Sequence, residues 1–493
     1  MPETRIASLP ANLIAVLILS AAAAAHEMPT VVGQKMKVDG RMLEYEAETG
    51  RVAIRDVESG EPHGYVFYIA YRIASDEPRP VVFLWNGGPG SNSTLLHFEA
   101  FGPKRLDNGR LVDNQETLLT DADLVFVDPV GTGFSRPAKA EYADEFYNTL
   151  GDIASVTEFV RAWLLLHDAS GLPTFLIGES WGAGRAGSVA YSLEAKGIVV
   201  SGLVLISGGS GIDSNVAPEL RLALKTVTYA AAAHYHGKDQ ADAGESAGDV
   251  MAAAEQWART TYAPALARLD SLGDVEREEI ATALARYTGL PDGKIDRQSL
   301  RITPRQFRSE LLADTGETLD TFDMRLVQGD VESSSSSGVT ESYLRRTLGY
   351  RTDLVYLGLG GFEQGYSPGG DVPPSANARW DYFTIPMSDE EKQAAIAEAV
   401  RTGAGPPRGG PPPPSTGEAL GIDPGIRVLV ATGMYDSFGN CAASRAARAG
   451  LEDATASAVE YRCYSGGHMM YRDRDARLEL SNDVKNLIAT AIR

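Results

Sequence analysis

The chain has 493 residues, of which 43% are hydrophobic and 23% charged, and this balance excludes a disordered protein and favours a globular one with a large core. The formal net charge of -21 argues against nucleic acid or an anionic membrane as a partner. These numbers fit a soluble enzyme of an extracytoplasmic space, and they fit equally an acidity that serves solubility alone.

The amino terminus has the features of an export signal. Arg5 precedes an apolar stretch over residues 13–25, which ends in three alanines. Small residues suit a signal peptidase, so we expect a signal peptide over residues 1–25, cleavage after Ala25, and a periplasmic or extracellular mature protein. An uncleaved anchor is the alternative, although the stretch is short for a membrane span. No later segment is apolar enough for stable membrane insertion.

The next part of the chain predicts a mixed sheet. Residues 34–75 combine charged and β-forming side chains, which indicates an antiparallel meander at a sheet edge. Short, continuous apolar runs follow, and these are typical of strands covered on both faces, as in a mostly parallel sheet. The runs lie at residues 81–85, 124–128, 174–177, 203–206 and 427–431. Helical patterns between them predict an α/β architecture with helices on both faces of the sheet.

One of these patterns predicts an amphipathic helix before the third run. Its apolar face would carry Leu150, Ile153, Thr157, Val160 and Leu164. This spacing of three and four residues is that of one helix face.

Between residues 215 and 420 the strand rhythm stops and helix-prone segments dominate. We interpret this segment as a largely helical cap inserted over the carboxyl edge of the sheet, which divides the core into residues 26–214 and 421–493. Inside it, the Ser-rich residues 333–337 and the Pro/Gly-rich residues 403–417 predict flexible loops.

His234 and His236 lie in the predicted cap and raise the possibility of a metal site. A zinc site needs three or four ligands, and no third ligand is near them in the sequence. We therefore interpret the pair as part of a helix surface and expect neither a metal nor a cofactor.

A nucleophile elbow is predicted at residues 174–184, where an apolar run ends in G-x-S-x-G and small residues follow. In an elbow of this kind a strand turns sharply into a helix, so the hydroxyl of Ser180 stands above the sheet. Gly178 and Gly182 relieve the crowding of so tight a turn. The motif alone is also compatible with an ordinary turn, but the strand before it and the helix after it favour the elbow.

The residues that an active serine needs follow it in the sequence. Asp436 comes after the last apolar run, and His468 lies in a Gly-rich loop after a strand-like segment at residues 459–464. The order Ser180, Asp436, His468 is that of α/β-hydrolases. The glycine-rich residues 86–90 can also aim backbone N–H groups at an oxyanion.

Five motifs together resemble the serine carboxypeptidase family, in the form of a bacterial-type member. They are W-N-G-G-P-G at residues 85–90, D-P-V-G-T-G-F-S at residues 128–135, G-E-S at residues 178–180, G-M-Y-D at residues 433–436 and G-H-M at residues 467–469. The resemblance extends from about residue 35 to the carboxyl terminus. It implies an α/β-hydrolase fold and cleavage of the last peptide bond of a chain through an acyl-enzyme formed by the triad.

The resemblance also implies roles for residues around the triad. The backbone N–H groups of Gly88 and Trp181 would form the oxyanion hole, and Asn86 and Glu179 would bind the carboxylate of peptide substrates with a free carboxyl terminus. Glu179 would repel that carboxylate if it were ionised, so its pKa must be raised. A second glutamate of the family has only Glu99 as a slightly displaced candidate.

Other functions stay open. Trp181 stands where the family usually has tyrosine, and Ser91 where it has cysteine. The alternatives are another α/β-hydrolase, such as an aminopeptidase similar to proline iminopeptidases, an esterase or an acyltransferase, and a non-catalytic binding protein. Asn86 and Glu179 suit a carboxylate better than an amine, and a complete triad argues against a non-catalytic protein.

Cys441 and Cys463 are the two cysteines of the chain. They lie five residues after Asp436 and five residues before His468, so a disulfide between them would connect the loops of the acid and the base. Export favours a disulfide. Two buried, inert thiols are the alternative.

Overall fold

The computed structural model describes residues 28–209, 211–212, 216–239, 246–329, 337–358, 375–402 and 409–492. The predicted signal peptide at residues 1–25 lies outside the described residues. So do residues 333–336 and 403–408 of the two predicted loops. Within the described ranges, no helix has both the length and the apolarity that a membrane crossing requires.

Twelve strands are found in the described residues. They are β1 (Thr30–Val38), β2 (Arg41–Arg55), β3 (Pro62–Arg72), β4 (Val81–Trp85), β5 (Lys104–Asp107), β6 (Arg110–Asp113), β7 (Asp123–Asp128), β8 (Arg136–Pro137), β9 (Thr174–Glu179), β10 (Gly202–Ile206), β11 (Arg427–Gly433) and β12 (Val459–Tyr464). The main sheet has the order β1-β2-β3-β7-β4-β9-β10-β11-β12, with β8 paired to β3, and β5 and β6 form a separate ribbon.

The sheet is antiparallel at one edge and parallel elsewhere. β1, β2 and β3 form the predicted meander, and β3 pairs with β7 in antiparallel fashion. From β7 to β12 every neighbouring pair is parallel. All residues of β4, β9 and β10 are buried, which confirms that the continuous apolar runs mark strands covered on both faces.

Helices connect the strands and cover both faces of the sheet. The α-helices of the described residues are α1 (Ala143–Phe146), α2 (Thr149–Leu166), α3 (Trp181–Glu194), α4 (Pro218–Tyr235), α5 (Ala247–Trp257), α6 (Ala263–Ala267), α7 (Asp274–Thr288), α8 (Pro304–Glu310), α9 (Ser337–Ser342), α10 (Asp389–Thr402), α11 (Thr416–Ile422), α12 (Cys441–Ala449), α13 (Asp453–Ala458) and α14 (Arg474–Ala491). Helices α2 and α3 contribute to the apolar core on one face and α14 to the core on the other. The predicted α/β-hydrolase fold is therefore confirmed.

The predicted amphipathic helix is α2, and its apolar face is buried except at one position. Ile153, Val160 and Leu164 are buried, but Leu150 is 45% exposed. Asp152, two residues after Leu150, is buried, and it forms an ion pair with Arg185 of α3. A buried charge with its partner thus takes the place that the pattern assigned to a leucine.

Helices α4 to α8 form a third apolar core of their own, which includes Leu224, Leu284 and Phe307. Tyr435, next to the predicted catalytic aspartate, belongs to the same core, so this helical part packs against the Asp436 loop. The predicted boundaries of the insertion, at residues 215 and 420, stay a prediction.

Both predicted loops end earlier than expected. Ser337 already begins α9, and the Pro/Gly-rich segment gives way to α11 at Thr416. Ser415 starts α11 because its hydroxyl accepts a hydrogen bond from the Glu418 N–H while the Glu418 side chain accepts one from the Ser415 N–H.

The two histidines of the predicted cap have local partners at the end of α4. His234 Nδ1 lies 3.2 Å from Asp239 Oδ2, and His236 Nε2 lies 2.9 Å from the Met324 carbonyl. No cluster of three or more metal-ligating side chains occurs in the described ranges.

Candidate active site

Ser180 is the single residue between β9 and α3, and its backbone has φ 57° and ψ −122°. A positive φ is unfavourable for a residue with a side chain and is found where the surrounding structure enforces it. The turn is tight, because a Cβ atom on Gly178 would lie 1.9 Å from the Gly182 carbonyl oxygen. The Ser180 N–H donates to the Ile206 carbonyl at 2.8 Å, which ties the turn to the end of β10. This geometry is that of a nucleophile elbow.

Asp436 and His468 are hydrogen-bonded to each other. His468 Nδ1 lies 2.9 Å from Asp436 Oδ2, and both side chains are buried. Burial favours the neutral imidazole, but the nearby Asp436 carboxylate outweighs it and raises the pKa of His468. The other ring nitrogen, Nε2, is buried and has no hydrogen-bond partner in the described part of the chain. That nitrogen is therefore available to exchange a proton with a substrate or nucleophile.

The loop of His468 is fixed to the same sheet edge as the elbow. The His468 N–H donates to the Phe322 carbonyl, and the His468 carbonyl accepts from the Ser207 hydroxyl, both at 2.6 Å. Ser207 directly follows Ile206, the residue that holds the N–H of Ser180. The backbones of Ser180 and His468 are thus anchored to adjacent residues, Ile206 and Ser207, at the end of β10.

The glycine-rich loop after β4 lies against the first turn of α3. A Cβ atom on Gly87 would lie 2.5 Å from the Trp181 nitrogen, so only glycine permits this approach. Gly88, the next residue, has φ 105°. The indole of Trp85 donates to the Gly182 carbonyl at 2.9 Å, which closes the contact from the strand side. The structure therefore brings the predicted oxyanion residues Gly88 and Trp181 to neighbouring backbone segments.

Asn86 and Glu179 lie together beside the elbow. Asn86 Nδ2 donates to Glu179 Oε2 at 2.8 Å, and Tyr471 donates its hydroxyl proton to the same oxygen at 2.5 Å. The Leu96 N–H donates to Asn86 Oδ1, so the amide is held with its NH₂ group toward Glu179. Burial raises the pKa of Glu179 to about 7. Near neutral pH this carboxyl group can therefore carry a proton and donate a hydrogen bond.

Tyr471 was missed by the sequence reasoning. It lies three residues after His468, directly beyond the motif that pointed to the histidine, and it is fully buried. A tyrosine in a buried Gly-rich turn needs a partner for its hydroxyl, which was the available signal.

A buried ion pair also contacts the glycine-rich loop of this site. Arg185 Nε lies 2.6 Å from Asp152 Oδ2, and Arg185 Nη1 donates to the Asn86 carbonyl at 3.0 Å. Both charged side chains are buried. This pair joins α2, α3 and the glycine-rich loop, so it positions the backbone of Asn86.

Glu99 forms an ion pair with Arg472. Arg472 Nε donates to Glu99 Oε2 at 2.7 Å, and Arg472 Nη2 lies 3.4 Å from Oε1. Sequence reasoning singled out Glu99 as a displaced candidate for the second glutamate, but not Arg472. The negative charge of Glu99 is thus balanced locally.

Aromatic side chains contact His468 and Trp181. The rings of Phe322 and Phe438 lie 5.4 and 5.7 Å from the His468 ring and are 40% and 58% exposed. Trp181 makes edge contacts with the rings of Trp380 and Tyr382, at 6.0 and 5.7 Å. Exposed aromatic rings beside a base suit an apolar substrate side chain.

Lys225 of α4 binds the loop that follows Asp436. Its ammonium group donates to the carbonyls of Ser437, Phe438 and Gly439 at 2.9, 3.1 and 3.0 Å. Burial lowers the pKa of Lys225 to about 8, although the Asp436 carboxylate acts in the opposite direction. The first long helix after β10 thereby holds the loop of the predicted acid.

Cys441 and Cys463 form a disulfide with a Cα–Cα distance of 5.6 Å. Cys441 is the first residue of α12, and Cys463 lies on β12 opposite Thr432 of β11. The predicted bond is confirmed, and it joins the segments that carry Asp436 and His468.

Fold and site together define an α/β-hydrolase with the arrangement of a serine enzyme. The model of the serine carboxypeptidase family matches residues 40–190, a span that includes the glycine-rich loop and Ser180. Over that span the chain is similar to serine carboxypeptidases, and its fold is that of an α/β-hydrolase. No curated protein matches the chain.

Two solved structures are similar to this chain over most of its length. Kex1, a prohormone-processing carboxypeptidase from Saccharomyces cerevisiae, is 14% identical, with 90% of this chain and 91% of that chain covered and a TM-score of 0.47. A thermostable carboxyl esterase from Bacillus coagulans is also 14% identical, with 90% and 99% covered and a TM-score of 0.38. Both scores are below 0.5, so neither likeness contributes to the assignment.

Proposed function

We propose that this protein is an exported serine carboxypeptidase that removes residues one at a time from the free carboxyl terminus of peptides. The observation that carries the proposal is the buried Glu179 beside the elbow, with Asn86 and Tyr471 bonded to one of its oxygens. A pKa of about 7 lets it meet a substrate carboxylate as a neutral acid. An amidated or esterified substrate has no free carboxylate to accept a hydrogen bond from Glu179.

In the proposed reaction Ser180 Oγ attacks the carbonyl carbon of the last peptide bond, and His468 Nε2 takes the hydroxyl proton. Asp436 holds the imidazole through Nδ1 and stabilises its positive charge. The N–H groups of Gly88 and Trp181 stabilise the oxyanion. His468 then gives its proton to the leaving amine, the C–N bond breaks, and the terminal amino acid departs.

The second half of the reaction mirrors the first. Water attacks the acyl-enzyme while His468 takes one of its protons, and the ester bond to Ser180 breaks as His468 returns that proton to the serine. The products are the shortened peptide and the regenerated enzyme. An esterase or acyltransferase would use the same steps but would have no use for a protonated Glu179.

Two features support export. The sequence of residues 1–25 has the pattern of a signal peptide, and the chain forms a disulfide, a bond that persists in oxidising compartments. Amino-terminal sequencing of the mature protein from a secreting host tests this part, and a start at His26 is the expected result.

The function is tested with two peptides that differ only at the carboxyl terminus, one free and one amidated. Mass spectrometry over time is expected to show stepwise loss of terminal residues from the free peptide and little change in the amide. Removal of amino-terminal residues would establish the aminopeptidase alternative. Equal hydrolysis of both peptides would favour an esterase-like or amidase-like enzyme instead.

A further inference from the structure

The cation Arg472 lies near enough to Glu179 for its charge to lower the pKa of that carboxyl group. Arg472 directly follows Tyr471 on the turn Met470–Arg472, and this turn packs against the helix Leu96–Phe101 that carries Glu99. The Arg472 side chain is 38% exposed, whereas that of Glu99 is only 13% exposed. The acid of this ion pair is therefore more buried than the arginine.

A substrate carboxylate that binds beside Glu179 needs a positive group to balance its charge. When Glu179 is protonated, Glu99 and Arg472 cancel, and Asn86 and Tyr471 are neutral. A substrate carboxylate that enters such a site loses much of its hydration. Neutral hydrogen-bond donors alone replace that loss poorly, while a cation replaces it well.

The guanidinium of Arg472 has N–H groups to spare. A guanidinium carries five N–H donors, and the bonds of Arg472 to Glu99 use Nε and Nη2. The remaining donors can form charge-assisted hydrogen bonds with a second carboxylate. Glu99 then serves as the support that holds the arginine in a fixed orientation.

We propose that Arg472 is a specificity-determining residue whose guanidinium binds the α-carboxylate of the substrate peptide, while Glu99 positions it. This inference rests on the proposed function, because it requires a substrate with a free carboxyl terminus. The competing explanation is that Arg472 only neutralises Glu99. The two explanations differ in what happens when both members of the pair are removed.

The test compares kcat/KM for one peptide as its free acid and as its amide. In the wild type the ratio of acid to amide is expected to be well above one. Arg472→Met is expected to lower this ratio roughly tenfold to hundredfold, the usual effect of losing a hydrogen bond between charged groups. Arg268→Met is the matched control, because it removes an arginine from an exposed ion pair with Glu276. The control is expected to keep the wild-type ratio.

The double variant Glu99→Gln/Arg472→Met separates the two explanations. If Arg472 binds the substrate, the ratio stays as low as in Arg472→Met. If Arg472 only neutralises Glu99, removal of both charges restores the ratio, and that result would overturn the proposal. A ratio in Arg472→Met within twofold of the wild type would overturn it as well.

Folding and function are separated by two further measurements. Arg472→Lys keeps the charge but loses the planar fork, so it is expected to lower the ratio severalfold, and an unchanged ratio in this variant contradicts the proposal even if Arg472→Met does not fold. A wild-type ratio near one would instead refute carboxypeptidase function itself. The two failures are thus distinguishable.

Discussion

Ser180 combines backbone strain with the predicted nucleophilic role. Its positive φ is enforced by β9, α3 and the hydrogen bond to Ile206. Such conformations cost on the order of 1–3 kcal/mol and persist where the surrounding structure determines them. The strain keeps the hydroxyl outside the helix, at the edge of the sheet where His468 is anchored.

Substitution of Ser180 separates activity from stability. Ser180→Ala is expected to lower turnover on the order of a million-fold without lowering the melting temperature. Ser180→Gly is expected to be equally inactive but more stable than the alanine variant by about 1 kcal/mol, because glycine tolerates positive φ. Ester hydrolysis and thermal unfolding measure both effects, with Ser309→Ala on the surface of α8 as the control. Near-wild-type turnover in Ser180→Ala would refute the assignment of the nucleophile.

Tyr471 is expected to tune the protonation of Glu179. Burial raises the pKa of Glu179 and Glu99 adds to this effect, whereas His468, Tyr471 and Arg472 act in the opposite direction. Tyr471→Phe removes a donor that favours the ionised form, so the pKa of Glu179 should rise further. Binding of a free carboxylate needs the protonated form and is lost as pH rises through that pKa. The alkaline limb of kcat/KM for free-acid peptides should therefore move to higher pH.

The pH profile of an ester of the same peptide is the control for Tyr471→Phe. The ester does not use Glu179 for a carboxylate, so its alkaline limb should stay in place. A shift of the free-acid limb to lower pH would contradict this account of the Tyr471–Glu179 bond.

At the residue scale, the sequence predicted residues that belong to motifs and missed residues that hold those motifs in place. Ser180, Asp436 and His468 could be found because their order and neighbouring glycines are typical of one fold. Arg185 and Lys225 could not, because their partners are distant in the sequence and include backbone carbonyls. A carbonyl partner leaves no trace in the sequence pattern.

At the scale of elements, α4 controls the loop of the predicted acid through Lys225. Lys225→Met leaves three carbonyls without their donor and removes a positive charge near Asp436. We expect turnover to fall roughly tenfold, since the loop loses the hydrogen bonds that hold it, and each contributes about 0.5–1.5 kcal/mol net. Loss of this positive charge also lets Asp436 raise the pKa of His468 further. The acidic limb of the pH profile of turnover should therefore move to higher pH.

Lys225→Arg is the matched variant, because it keeps the charge and the donors. The acidic limb of its pH profile of turnover should stay near that of the wild type. If the methionine variant loses stability but its acidic limb does not move, Lys225 has a structural role only.

The disulfide connects two further elements of the site. The double variant Cys441→Ser/Cys463→Ser should have a free energy of unfolding lower by about 3 kcal/mol, as the chain-entropy model gives for a closed loop of this size. Activity should fall at temperatures where the variant is still folded, because α12 and β12 lose their link near Asp436 and His468. Urea unfolding and turnover at matched temperatures measure the two effects. Unchanged activity up to the unfolding transition would show that the bond stabilises the fold without positioning the triad.

At the scale of the whole molecule, the sheet was easier to predict than the helical part. Continuous apolar runs identified β4, β9 and β10, since a strand covered on both faces leaves a strong pattern. Leu150 shows the limit of that reasoning, because it is 45% exposed while Asp152, which pairs with Arg185 of α3, is buried. Helices α4 to α8 have their own core, and the packing of that core on the Asp436 loop depends on contacts that no local pattern contains.

The proposed function depends on the recognition of a free substrate carboxylate beside a protonated Glu179. The most direct test is kcat/KM for one peptide as free acid and as amide, measured at pH 6 and at pH 8.5. With a Glu179 pKa of about 7, the acid should be strongly preferred at pH 6, and the preference should collapse at pH 8.5 as Glu179 ionises. A ratio near one at pH 6, or a preference for the acid that does not change with pH, would contradict this account.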